Sequence, residues 1–81
     1  MSQPSNSSFP LTLAQDGERV KLINVHGKLR EKLASMSLGM GDVVEIVSNH
    51  GHGPILIMKQ ENRYILGGGM AHKIEVVISQ S

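Results

Sequence analysis

At 81 residues the chain is long enough for one small domain, and a domain of this size buries only about 60% of its unfolded surface, so every large aliphatic side chain counts. It contains 0 Cys, which excludes disulfide staples and thiolate metal sites. A formal net charge of +1 with acids and bases interspersed, and Phe9 and Tyr64 as the whole aromatic complement, leave neither the basic footprint nor the stacking rings that nucleic-acid binding uses.

No apolar run approaches the roughly 20 residues of a membrane-spanning helix, and the N-terminus lacks a basic segment followed by an apolar one. The chain is expected not to span a membrane and not to be exported, and the missing cysteines agree with a cytoplasmic setting.

Residues 1–8, MSQPSNSS, are polar and aperiodic and read as a disordered tail ahead of a domain over 9–79. Phe9, Leu11 and Leu13 alternate around Pro10, which denies a central ladder its donor. This piece is therefore an edge strand or a lead-in that tucks apolar groups under the domain. Asp16 and Gly17 signal a turn. Over Arg19 to Val25, Val20 and Leu22 share one face while Ile23 and Val25 take the other, so this strand is either covered on both sides or shifts face through a bulge.

His26 and Gly27 lead into the stretch Lys28 to Asp42, KLREKLASMSLGMGD, and neither is a strong N-cap. Leu29, Leu33 and Met36 recur at i, i+4 and i+7, giving an amphipathic helix with one apolar stripe to bury against a small sheet or barrel. The helix is expected to stop where Gly39 and Gly41 bracket Met40.

Asp42 to Val47 is a strand rich in β-branched residues, Ser48 to Pro54 a loop, and Ile55 to Lys59 a further strand. Gln60 to Asn62 turns the chain, with Asn62 tolerant of the left-handed region, and Arg63 to Leu66 returns as a hairpin strand. Gly67 to Gly69 with Met70, Ala71 and His72 reads as a tight loop with one helical turn, before a last alternating strand through Ile74, Val76 and Ile78. The triple glycine is no phosphate cradle, because the Lys and Ser or Thr of such a loop and its long helix are missing. The sum is a mainly β fold: about five strands, one inserted amphipathic helix, and a closed or nearly closed barrel.

LREKLASMSLGMGD at Leu29 to Asp42, VVEIV at Val43 to Val47, GPILI at Gly53 to Ile57 and YILGGGMAHKIEV at Tyr64 to Val76 together resemble the FeoA-like proteins of bacterial ferrous iron uptake. Their domain also occurs at the C-terminus of metal-dependent repressors. The resemblance implies an SH3-like barrel, no enzymatic activity, and a cytoplasmic partner of the membrane iron permease FeoB, which carries a GTPase domain. Two positions depart from the family pattern: Ser37 stands where glycine is usual, and Met40 where proline is usual.

Two surfaces are candidates for function. Leu38 and Met40, beside Arg30 and Glu31 of the helix, offer an adaptable aliphatic patch to a protein partner; if the helix packs fully, Arg30 and Glu31 are simply solvated. His50 and His52 offer two imidazoles to a weakly held divalent transition metal, with Asn49 or a distant carboxylate completing the shell; the plainer reading is a solvated turn. His26 and His72 are far apart in sequence and come together only through the fold; the plainer reading of each is a surface or hydrogen-bonded core group.

No required cofactor is legible. The serines have no neighbouring His and acid pattern, and Asp16, Glu18, Asp42 and Glu45 fall at turns or solvent faces. An interaction module is thus the first expectation, a metal-responsive module the second, and an RNA-associated module is set aside. Strand edges near Phe9 to Leu13 or Ile74 to Ile78 would allow a homo-oligomer.

Overall fold

The computed structural model describes residues 7–79, so most of the expected tail lies outside the described residues. Alternating apolar residues produce six strands, one more than the sequence predicts: β1 Phe9–Pro10, β2 Arg19–Val25, β3 Val43–Asn49, β4 Ile55–Lys59, β5 Asn62–Leu66 and β6 Ile74–Ile78. They form one antiparallel sheet in the order β1-β6-β2-β3-β4-β5. The ladder does not run on from β5 to β1, so the barrel is open between them.

This order corrects one expectation. β6 lies between β1 and β2, so Ile74–Ile78 is no edge; the edges are β1 and β5. Pro10 sits in the edge strand β1, where its missing N–H costs little, and the chain then leaves the sheet in a 3-10 turn over Leu11–Leu13. Leu11 is fully buried while Leu13 is 66% exposed.

β2 resolves its two faces through a bulge. The β2–β6 register shifts between Leu22 and Asn24, turning Ile23 outward and letting Leu22 and Val25 both face in. A second bulge, between Ile46 and Ser48, frees Val47 in the same way.

The helix α1 covers Leu29–Ser35 and ends four residues before Gly39. Its stop is a Schellman motif: the Leu38 N–H donates to Leu33 O and the Ser37 N–H to Ala34 O, each at 2.9 Å. Ser37 takes the left-handed position, φ 65°, where glycine is the usual occupant. The motif brings Leu38 back against Leu33, and both are buried with Leu29 and Met36 packed around the same core. Fully burying a leucine stabilises the fold by about 1.5–3 kcal/mol, so these two residues anchor the helix.

At the β4–β5 hairpin the left-handed residue is Gln60, φ 57°, not Asn62, which has already joined β5. The loop after β5 contains the single helical turn α2, Gly68–Ala71, which packs against the Leu11–Leu13 turn. No charged or polar side chain is buried among the described residues.

Candidate interaction face

Side chains alternate across a strand, so the residues between the buried ones of β3, β4 and β5 share the outer face. Strand register sets them in rows. Arg19 stands opposite Glu45, Glu45 opposite Met58, and Met58 opposite Arg63; Leu56 stands opposite Ile65 in the next row. Leu56 and Met58 are half-buried, Val47 is 37% exposed, and Ile65 is 70% exposed. None of these four packs against the core cluster. The result is an aliphatic patch flanked by Arg19, Glu45 and Arg63. At one end it opens into a groove of about 310 Å³ lined by Arg19, Val43, Val44, Glu45, Met58 and Gln60. Unbranched Met58 at the groove can reshape to fit an incoming surface.

The patch drawn from the sequence falls elsewhere. Leu38 is 2% exposed, because the helix stop folds it onto Leu33, so it is not a surface residue. Met40 is 36% exposed in the following turn, and Arg30 and Glu31 lie exposed on α1. The sequence does show the strand from Ile55 as continuously apolar until Lys59, but only the register tells which of those residues face outward.

The histidines are also redistributed. The His50 ring lies 3.2 Å from the Ser48 hydroxyl, while His52 lines an open cleft of about 240 Å³ together with Thr12, Asn49, Ile55 and His72. The fold thus brings His52 and His72 to one cleft, and His50 does not line it. His26 lies 3.8 Å from the Glu75 carboxylate. Asn49 is not free to complete a metal shell. Its amide donates to Ala14 O at 2.6 Å and to Thr12 O at 3.1 Å, and its Oδ1 accepts from the Gly51 N–H at 2.9 Å. Among the described residues no three His, Cys, Asp or Glu side chains converge as a metal centre.

Residues 9–78 match the family model described as FeoA domain. The chain is 31% identical over 70 residues to a protein of Methanocaldococcus jannaschii named for Fe(2+) transport, transport protein A, with 84% of each sequence covered. Its structure superposes on that of an iron uptake regulatory protein, FeoA, with a TM-score of 0.82 and 29% identity, covering 90% of this chain and 100% of the other. A manganese-dependent transcriptional repressor shares the fold at a TM-score of 0.82 and 18% identity, over 94% of this chain and 44% of the repressor.

Proposed function

This chain belongs to the FeoA domain family, which ties it to ferrous iron transport, and we propose that it acts there as a non-enzymatic accessory protein by touching the cytosolic part of a FeoB-type permease. The observation that carries the reading is the outer face of β3, β4 and β5, where Val47, Leu56, Met58 and Ile65 present aliphatic surface outside the core. A patch of this kind with charged neighbours is the ordinary composition of a contact surface. Met40, Arg30 and Glu31 remain candidates for additional contacts on the helix side. The reading also has the protein in the cytoplasm; no helix among the described residues is long and apolar enough to cross a membrane. Capture of the permease from membranes, with Leu56→Glu and Met58→Glu as the discriminating variants, tests it.

A second reading is favoured by one observation, the shared cleft of His52 and His72. Two imidazoles suit ferrous iron, zinc, nickel or copper, and a site with two protein ligands leaves positions for water or a partner's donors, so it would hold metal weakly. In this reading the pair that senses metal is His52 with His72, in place of His50 with His52.

A further inference from the structure

The two edges of the sheet differ in character. β1 is two residues long and includes Pro10, which has no N–H to offer an incoming strand. β5 is five residues long and pairs only with β4.

The β4–β5 register decides which backbone groups of β5 are free. Lys59 and Asn62 close a two-residue hairpin and so form a hydrogen-bonded pair; antiparallel alternation makes Ile57 with Tyr64, and Ile55 with Leu66, hydrogen-bonded pairs too. The N–H and C=O groups of Asn62, Tyr64 and Leu66 therefore turn toward β4. Those of Arg63 and Ile65 point away from the sheet, and among the described residues no other backbone group meets them.

From this pattern we infer that two copies of the chain associate through β5, antiparallel about a two-fold axis at Tyr64. Four outward backbone groups at strand spacing, otherwise left to water, are a template that a single extended strand matches at once. A second β5 does so symmetrically: Arg63 stands opposite Ile65 of the other copy, and the reverse, giving four N–H to O=C bonds. Tyr64 meets Tyr64 as the central non-bonded pair, and Asn62 meets Leu66 at each end, so all five strand residues overlap. A slip of one residue sets outward groups against groups already turned to β4; a slip of two leaves strand residues unopposed.

Each partly positive N–H faces a partly negative C=O, so the edge is complementary to itself. The side chains agree with this pairing. Ile65, 70% exposed, is sheltered by the aliphatic stem of Arg63 from the other copy. The two Arg63 side chains fall on diagonal positions about 7–8 Å apart, in water, where like charges repel weakly. The inference rests on strand register and shares Ile65 with the face of the permease reading; because association is measured on the chain alone, failure of either leaves the other standing.

The test combines sedimentation equilibrium of the full chain with amide hydrogen exchange, from micromolar to millimolar protein. The expected result is a monomer–dimer equilibrium in which the Arg63 and Ile65 amides gain roughly tenfold or more protection as dimer forms. A mixed labelled and unlabelled sample then gives a Tyr64 to Tyr64 Hα contact between copies. Ile65→Lys, on the solvent side of the strand, weakens association at least tenfold with the monomer fold intact. A chain that stays monomeric at millimolar concentration overturns the inference. So does a dimer whose Arg63 and Ile65 amides exchange freely, and so does protection of these amides that arises only when the permease's cytosolic part is added.

Discussion

The Lys59 ammonium lies 2.9 Å from the Asp42 carboxylate and also donates to the Ser37 carbonyl. Asp42 in turn accepts the Gly39 N–H at 2.8 Å. One lysine near the end of β4 and one carboxylate before β3 thereby hold the stop of α1, the turn over 39–42 and the sheet in fixed relation.

This clamp depends on pH. The Lys59 side chain, helped by the Gly39 N–H and opposed by partial burial, holds the Asp42 carboxyl below its usual value of 3.8. Because the folded-state value is the lower one, the stabilisation is present above 3.8 and is lost as pH falls through the folded pKa. Asp42→Asn is expected to lower stability by about 0.5–1 kcal/mol at neutral pH, and the gap from the unmodified chain should shrink in acid. Urea unfolding across a pH series measures both.

Ser37 holds a left-handed conformation that a side chain disfavours, and its carbonyl, not its hydroxyl, receives Lys59. Ser37→Gly is expected to stabilise the fold by about 0.5–1 kcal/mol, since relief of strain exceeds the added freedom of the unfolded chain. Ser37→Val should destabilise it by a similar amount or more. Thermal unfolding midpoints of the two variants, moving in opposite directions, check this.

Leu38 and Met40 separate core from surface two residues apart. Leu38→Ala is expected to cost about 2–5 kcal/mol, as for a buried leucine, and Met40→Ala to change stability by less than about 0.5 kcal/mol. Chemical denaturation distinguishes them; equal effects would contradict the packing of Leu38 on Leu33.

These residues show what was legible in the sequence. Alternation grouped Val44 with Ile46, and Ile74 with Val76, on faces that are buried, because a strand's period is fixed by its backbone. The i, i+4, i+7 stripe found Leu33, but it carried no information about Leu38, whose burial follows from a left-handed serine that helical periodicity does not encode. The candidate face needed more than periodicity. Leu56 and Met58 sit in a continuous apolar run, and only pairing with β3 and β5 shows that they share a surface with Ile65. The bulge in β2 was one of two readings that Ile23 and Val25 left open, and only the pairing with β6 decides for it; the bulge in β3 was hidden, since Val47 continues the alternation and no glycine marks the shift.

For the metal reading, titration with zinc or nickel at neutral pH, followed through imidazole resonances, is expected to move His52 and His72 together and His50 and His26 little. His72→Ala should weaken binding roughly tenfold or more, as loss of one of two ligands requires, and His50→Ala should leave it unchanged. Shifts confined to His50 and His52, or none at all, would contradict the pairing through the cleft.

The most direct measurement of the central claim is recovery of a FeoB-type permease from solubilised membranes by the tagged chain, beside Leu56→Glu, Met58→Glu and a tag-only control. Recovery by the unmodified chain that falls at least fivefold in both variants, with unfolding midpoints little changed, is the predicted result. Recovery no better than the tag alone, or undiminished by either glutamate, would contradict it.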